Sequence, residues 1–230
     1  MIATRPAIVL VHGAWHGAWC WQRVVPLLTS RHFVVRTVEL PSVGAGPDVT
    51  IGLEDDGAAV RAVMDEVGGP VLLCGHSYGG MVISHASSRH PLVTKLVYLC
   101  AFVPESGESL VAIGQGRLAP WVQVLDGGLT LPDPTQAAEL FYSDCDAETQ
   151  VWAVGKLRPQ CAAPFSDGVP HPGWKDIPST YVICSDDRAM LPGWQRNLFA
   201  PRLDKVVELN SSHSPFLSQP SALADVLAAE

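Results

Sequence analysis

Several features are missing from this 230-residue sequence, and their absence excludes whole classes of function. No stretch approaches the ~18 consecutive apolar residues of a membrane-spanning helix, so we expect no membrane association. The 15 basic residues are outnumbered by 23 acidic ones and form no cluster, which argues against nucleic-acid binding. With 47% hydrophobic and 17% charged residues, the composition is that of one globular domain rather than a disordered chain.

The sequence also lacks a visible secretory signal and any clustering of cysteine. Residues 1–6 carry one arginine, and the apolar run Ala7–Val11 is too short for a signal core. The six cysteines are dispersed, and three of them lie in apolar strand-like runs, where cysteine behaves as a small buried hydrophobe. We therefore expect free thiols in a cytoplasmic protein, with Cys145 and Cys161 as the only pair to check for a bridge.

Apolar strand-like runs alternate with helix-like segments along the chain. The predicted strands are Ala7–His12, Phe33–Glu39, Val71–Cys74, Leu96–Phe102, Thr180–Cys184 and Lys205–Leu209. The predicted helices are Ala18–Leu28, Leu53–Val67, Tyr78–His90, Gly193–Phe199 and Ser221–Ala229. This alternation predicts an α/β fold with a mostly parallel six-stranded sheet and helices on both of its faces.

One region interrupts the alternation. Residues 105–178 contain eight of the 19 prolines and no clear strand, although Asp146 is a typical start for a helix running to about Leu157. An insertion of this length is too long for an ordinary loop. We therefore expect a single domain, with a core of residues 1–104 and 179–230 and a cap at about 105–178 over the carboxyl ends of the strands.

The most informative motif is Gly75-His76-Ser77-Tyr78-Gly79, which lies between a buried strand and a helix. In this context Gly-x-Ser-x-Gly is typical of a nucleophilic serine on a strained turn. The glycines allow the backbone to pack closely around that serine. Ser77 is the predicted nucleophile.

A serine hydroxyl needs a base, and the base needs a carboxylate to orient it. His213 follows the last predicted strand on a polar loop, where it can reach a serine at the top of the sheet. The strand Thr180–Cys184 runs into Asp186 and Asp187, and neighbouring residues of an extended chain point opposite ways. We favour Asp187 as the acid over Asp186, which we expect to be a solvated residue that can pair with Arg188.

Acyl transfer also needs donors for the oxyanion. We expect the backbone N–H groups of Tyr78 and of Ala14, in the glycine-rich turn after the first strand, to supply them. His12 and His16 have a spacing that invites a metal site, but no third ligand accompanies them, and no metal or cofactor is expected. His12 is predicted to be a structural hydrogen-bonding residue.

Together these features resemble the α/β-hydrolase fold over nearly the whole chain. The run His12–Trp21 is similar to the plant methylesterase and hydroxynitrile lyase family and its bacterial esterase relatives, as are Phe141–Asp146 and Leu191-Pro192. The resemblance implies a catalytic triad with an oxyanion hole, formed by Ser77, Asp187, His213, Ala14 and Tyr78. The resemblance also favours Asp187 over Asp186 as the acid, because of the spacing between Asp187 and Leu191-Pro192.

Two positions depart from the hydroxynitrile lyase pattern within that family. Gly13 stands where those lyases carry threonine, and Ser214 stands where they carry lysine. Without a cation at position 214, departing cyanide loses its electrostatic support, so ester or lactone hydrolysis is favoured over the lyase reaction.

The leading hypothesis is a serine hydrolase for a small, largely apolar ester or lactone. The predicted pocket residues are Gly13, His16, Trp121, Phe141, Trp152 and Phe165, although the aromatic ones can equally form the core of the cap. Alternatives are a biosynthetic enzyme that uses the same residues for C–C cleavage, cyclisation or elimination, and a non-catalytic ligand receptor. A homodimer is compatible with the sequence.

Overall fold

Six parallel strands form the central sheet of the protein. The strands of the computed structural model, which describes residues 5–230, are β1 (Ala7–Val11), β2 (Val35–Val38), β3 (Val71–His76), β4 (Val93–Leu99), β5 (Val122–Leu125), β6 (Leu129–Pro132), β7 (Gln160–Cys161), β8 (Ser179–Cys184) and β9 (Lys205–Leu209). The central sheet has the order β2-β1-β3-β4-β8-β9, and all neighbours in it are parallel. The predicted parallel sheet is therefore confirmed.

The strands in the middle of this sheet are apolar because both of their faces are covered. Every residue of β1, β3 and β8 is buried. Their register aligns the carboxyl ends of β1 and β3, with Val11 opposite Gly75. The residues that follow these strands consequently meet at one edge of the sheet.

The helices are mostly short. They are α1 (Val25–Thr29), α2 (Leu53–Val67), α3 (Gly79–Ala86), α4 (Leu110–Ile113), α5 (Ala137–Phe141), α6 (Ala147–Val154), α7 (Ala163–Ser166), α8 (Pro192–Trp194), α9 (Pro215–Ser218) and α10 (Pro220–Ala228), with single 3₁₀ or π turns at Ala18–Arg23, Asp126–Gly128, Gly173–Lys175, Gln195–Phe199 and Ala200–Arg202. Among the described residues, none of these helices combines the length and apolar character that crossing a bilayer requires.

Two predicted helices are each divided in the structure, and the predicted helix Tyr78–His90 is shorter, because α3 ends at Ala86. The predicted helix Ala18–Leu28 is divided into a 3₁₀ segment and α1, and Pro26 lies in the first turn of α1, where its missing N–H costs no helical hydrogen bond. The predicted helix Gly193–Phe199 is divided into α8 and a π turn. By contrast, Asp146 caps α6 as predicted, because its carboxylate accepts a hydrogen bond from Thr149 N.

The expectation that residues 105–178 lack strands is wrong. β5, β6 and β7 form a separate antiparallel sheet, and β5 and β6 are joined by a hairpin in which Gly127 and Gly128 have φ values of 68° and 73°. Glycine adopts such values without steric cost, which permits the tight turn. This small sheet is attached to the central fold where Cys161 N donates to Ser42 O at 2.9 Å.

The cysteines are free thiols, as predicted. Cys145 is half-buried and Cys161 is buried, and they are not bridged. The expectation that the chain lacks a signal peptide rests partly on residues 1–4, which lie outside the described residues.

Candidate active site

Ser77 lies in a strained turn between β3 and α3. Its φ is 51°, in the left-handed region that non-glycine residues rarely adopt. A Cβ atom at Gly75 would lie 2.5 Å from Gly79 O, and one at Gly79 would lie 2.8 Å from the carbonyl oxygens of Val11 and His12. Both glycines are therefore required for the close packing that holds Ser77 in this conformation.

The turn opens into a cavity of about 660 Å³ at the carboxyl edge of the central sheet. Ser77 and His213 both line this cavity, as do Ala14 and Tyr78. The structure thus brings the predicted nucleophile, base and oxyanion donors to one site, although they come from three separate stretches of the chain.

His213 is oriented by Asp187. Its Nδ1–H donates to Asp187 Oδ2 at 2.7 Å, and both side chains are buried. Asp187 Oδ1 accepts from the backbone N–H groups of Ala189 at 2.9 Å and Met190 at 2.8 Å. This leaves Nε2 as the imidazole nitrogen available to act as a base.

The neighbouring carboxylate does not contact His213. Asp186 is exposed, whereas Asp187 is only 2% exposed. The expectation that Asp186 can pair with Arg188 is not met, because Arg188 forms an ion pair with Glu139 instead. The geometry therefore favours Asp187 over Asp186.

Three polar residues that the sequence did not single out support this arrangement. Gln195 Nε2 donates to Asp187 Oδ2 at 3.0 Å, and His76 Nε2–H donates to the carbonyl oxygen of His213 at 2.8 Å. Asp144 Oδ2 accepts from the backbone N–H of Ser212 at 2.9 Å. His76 lies inside the serine motif, and Asp144 lies inside Phe141–Asp146, which resembles the family, but the contacts of these side chains are not evident from the sequence.

The two predicted oxyanion donors have no protein acceptor. Within residues 5–230, the backbone N–H groups of Ala14 and Tyr78 form no hydrogen bond, and both residues line the cavity. Buried backbone N–H groups are almost always paired, so a free pair beside Ser77 is available to a ligand oxygen.

His12 and His16 use both of their ring nitrogens within the protein. His12 Nδ1–H donates to Gly13 O at 2.8 Å, and its Nε2 accepts from Leu40 N at 3.2 Å. His16 Nδ1–H donates to Ala14 O at 2.8 Å, and its Nε2 accepts from the Tyr142 hydroxyl at 2.8 Å. The structural role predicted for His12 is confirmed.

Burial keeps both of these imidazoles neutral. Desolvation lowers the pKa of His12 to about 4 and the pKa of His16 to about 3. Burial and the nearby His213 also lower the pKa of His76. The site is consequently surrounded by neutral rather than cationic histidines.

One set of side chains has the spacing of metal ligands in the described part of the chain. His76, Cys100 and His213 place ligand atoms within 4.8 Å of one another. His213 Nδ1 is hydrogen-bonded to Asp187, and burial raises the pKa of Cys100, which disfavours the thiolate that a metal ion needs. The chemistry of these donors suits hydrogen bonding better than metal coordination.

Four of the six predicted pocket residues line the cavity. They are His16, Trp121, Phe141 and Phe165. The prediction for Trp152 is wrong, because it does not line the cavity; its ring packs edge-on against Trp19 with a centroid distance of 5.2 Å. Gly13 is not a lining residue either. It packs against the serine turn, where an added Cβ atom would be 2.9 Å from Ser77 Cβ.

Most of the remaining cavity wall comes from two places that the sequence did not identify. The stretch of residues 110–122 supplies Leu110, Leu118 and Val122, and the stretch of residues 188–194 supplies Met190, Leu191 and Trp194. The lining is predominantly apolar, with Arg117 and Arg188 among its few charged members.

Known proteins are similar to this chain in both sequence and fold. Residues 8–226 match the profile of the alpha/beta hydrolase family. The chain is 31% identical to an alpha/beta hydrolase, nvfD, from Aspergillus novofumigatus, covering 97% of this chain and 95% of that protein. It is 33% identical to a carbendazim hydrolyzing esterase from a Nocardioides species, covering 96% and 98%.

A solved structure shows the same fold. The pyrethroid hydrolase from Sphingobium faniae JZ-2 superimposes with a TM-score of 0.86 at 28% identity, covering 97% of this chain and 96% of that one. The match of the family profile to almost the entire sequence agrees with the parallel sheet and with the serine turn after β3. The chain belongs to the alpha/beta hydrolase family.

Proposed function

We propose that this protein is a serine carboxylic-ester hydrolase that acts on a small, largely apolar ester or lactone. The observation that carries the proposal is the meeting of Ser77, His213 and two unpaired backbone N–H groups in one cavity. Two of the similar proteins are named as an esterase and as a pyrethroid hydrolase, which supports the same reaction class.

In the proposed reaction, His213 Nε2 takes the proton from Ser77 as its oxygen attacks the substrate carbonyl. The resulting oxyanion accepts hydrogen bonds from the N–H groups of Ala14 and Tyr78. Asp187 holds the imidazole in the required tautomer and stabilises its charged form. The protonated His213 then passes its proton to the leaving alkoxide, and a water molecule activated by His213 hydrolyses the acyl-enzyme. These steps use only protein groups and water.

The walls of the cavity support an apolar substrate. Phe141, Phe165 and Trp121 form edge-on or stacked contacts with Trp15, which creates an aromatic wall beside the serine. Burial of apolar surface against such a wall favours binding by about 25 cal/mol per Å². We therefore propose hydrocarbon or aromatic groups on the acyl or alcohol side of the substrate.

We also propose that residues 105–178 act as a cap over this site. The segment contributes Trp121, Phe141 and Phe165 to the cavity, and its removal would open the site to solvent. A cap of this kind excludes water from the charges that develop during reaction.

The geometry disfavours the cyanohydrin-cleaving reaction. A Cβ atom at position 13 would lie 2.7 Å from His76 Nδ1 and 2.9 Å from Ser77 Cβ, so the threonine found in the lyases does not fit here without movement. Ser214 is fully buried and is not a lining residue of the cavity.

Substitution of the serine tests the proposal. Ser77→Ala removes the nucleophile and leaves the cavity and its wall in place, so turnover of short aryl esters should fall by about 10³-fold or more while thermal stability is retained. Ser84→Ala removes a buried hydroxyl of α3 that bonds to Gly80 O and the Tyr98 hydroxyl and does not line the cavity, so it is the matched control and should keep its turnover. Undiminished ester turnover by Ser77→Ala would refute the serine mechanism.

A further inference from the structure

A continuous chain of buried hydrogen bonds links the two proposed oxyanion donors. The Tyr78 hydroxyl donates to Asp56 Oδ2 at 2.6 Å. Ser42 donates to the same carboxylate, from Oγ to Oδ2 at 2.7 Å and from N to Oδ1 at 3.0 Å. Gln160 Nε2 donates to Ser42 Oγ at 2.9 Å, and Gln160 Oε1 accepts from Trp15 N at 3.0 Å. The chain thus runs from the serine turn to the residue directly after Ala14.

The carboxylate in this chain of hydrogen bonds is buried to an unusual degree. Asp56, Ser42 and Gln160 have no exposed surface. An ionised carboxylate in the interior is stable only when several donors satisfy it, and here two hydroxyls and one backbone N–H do so. Asp56, Ser42 and Gln160 do not line the cavity, so contact with substrate does not explain them.

The two ends of the chain are the residues that carry or flank the donors. Tyr78 is the residue whose N–H is proposed as one donor, and its phenol is held by the bond to Asp56. Trp15 has a φ of 61°, and the Gln160 bond to its N–H holds the backbone directly after Ala14 in that uncommon conformation.

A second set of bonds holds Gln160 in place from the small sheet. Thr130 Oγ–H donates to the carbonyl oxygen of Gln160 at 3.1 Å, and the Trp15 indole N–H donates to Thr130 Oγ1 at 3.1 Å. Gln160 lies in β7 and Thr130 in β6, so the segment that we propose as the cap also supports the turn that carries Ala14.

We propose that Asp56 and Gln160 are positioning residues that fix the separation and direction of the Ala14 and Tyr78 N–H groups. This inference rests on the proposed function, since it assigns a role in stabilising the oxyanion. Because stabilisation of a developing charge depends on preorganised donors, loosening either end should lower kcat and leave KM nearly unchanged.

A matched pair of variants tests the Asp56 end. Tyr78→Phe removes the hydroxyl that donates to Asp56 but keeps the backbone N–H. Tyr98→Phe removes another fully buried hydroxyl, which is paired with Ser84 and is not part of the chain of hydrogen bonds between Tyr78 and Trp15. We expect Tyr78→Phe to lower kcat for an aryl ester by about 10- to 50-fold with KM changed less than about threefold, and Tyr98→Phe to keep kcat within about twofold.

Gln160→Met tests the other end, because methionine has a similar length but can neither accept from Trp15 N nor donate to Ser42. It should show the same loss in kcat, and its rate of inactivation by a fluorophosphonate should fall in parallel, since that reaction uses the same donors. Melting temperatures of all variants, measured alongside, separate this effect from unfolding.

The results that would overturn the inference are specific. Retention of full kcat by both Tyr78→Phe and Gln160→Met in folded protein would show that the chain does not position the donors. Equal losses in Tyr78→Phe and Tyr98→Phe would show a general effect of core polarity. Failure of the proposed function is a separate outcome, namely that the wild type hydrolyses no ester or that Ser77→Ala retains activity.

Discussion

Replacement of Asp187 by Asn is expected to reverse the hydrogen bond that orients His213. In the wild type, Asp187 Oδ1 accepts from the N–H groups of Ala189 and Met190, and Oδ2 accepts from His213 Nδ1–H and Gln195 Nε2. An amide at this position keeps its oxygen toward the two backbone donors, because only an acceptor suits them. Its NH₂ group then faces His213.

The imidazole must respond by accepting at Nδ1, which moves its proton to Nε2. A histidine protonated at Nε2 cannot remove the proton from Ser77. Loss of the correct tautomer at such a site typically lowers kcat by about 10³- to 10⁴-fold, which corresponds to about 4–5.5 kcal/mol of transition-state stabilisation. The NH₂ group also meets the NH₂ of Gln195, so a decrease in the free energy of unfolding of about 1–3 kcal/mol is expected.

The assay is steady-state hydrolysis of a short aryl ester near neutral pH, with urea unfolding of the same preparations. Asp186→Asn is the matched control, because it changes the same charge at an exposed neighbouring position. The control should retain kcat within about twofold. If Asp186→Asn lost activity and Asp187→Asn kept it, the assignment of the acid would be wrong.

Three further predictions follow from the packing and the burial of the site. Gly79→Ala places a Cβ atom 2.8 Å from two backbone carbonyl oxygens, so it should lower the free energy of unfolding by about 1–3 kcal/mol and reduce ester turnover. Gly193→Ala, with no atom within 4 Å of the added Cβ, should change neither quantity in the same thermal and kinetic assays. Trp121→Ala should change KM across an acyl-chain series because Trp121 lines the cavity, whereas equal effects in Trp152→Ala would contradict this account of the wall. Acidification from about pH 7 to 4.5 should lower the free energy of unfolding by about 2 kcal/mol for each of His12 and His16. Their pKa values in the folded protein, about 4 and 3, lie below the ordinary histidine value of 6.5, so the unfolded chain binds protons that the folded protein does not. Urea unfolding at the two pH values checks this, and His16→Gln should show a smaller dependence.

The sequence predicts the middle of the sheet well because β1, β3 and β8 are buried on both faces. Val71–Cys74 is a continuous apolar run, and such runs identify interior parallel strands without knowledge of their neighbours. That Ser77, Asp187 and His213 lie close together is predictable from the sequence for a related reason. Each follows the carboxyl end of a strand, and in a parallel sheet these ends meet at one edge.

Contacts that depend on the tertiary fold cannot be predicted from the sequence. Trp121 and Trp152 lie in the same irregular segment, but Trp121 lines the cavity whereas Trp152 packs against Trp19 and does not line it. Gln160 and Gln195 are single glutamines without a motif. Gln160 bonds to Trp15, which lies 145 residues away in the sequence, and the bond of Gln195 to Asp187 depends on how the turn after β8 folds back.

The hairpin of β5 and β6 did carry a local signal. Asp126-Gly127-Gly128 separates two four-residue runs, and glycines between short apolar strands are typical of a tight turn. The prolines of this region concealed the pattern, since proline usually argues against strand structure. Pro132 is tolerated because it is the last residue of β6.

The most direct test of the central claim is to trap the acyl-enzyme. The protein would be mixed with an aryl ester, quenched in acid within the first turnovers, and analysed by intact mass and peptide mapping. A nucleophilic Ser77 predicts one acyl group per chain on the peptide that contains Ser77, and no acyl group in Ser77→Ala. Ester hydrolysis with no acylated protein, or with the acyl group on another residue, would contradict it.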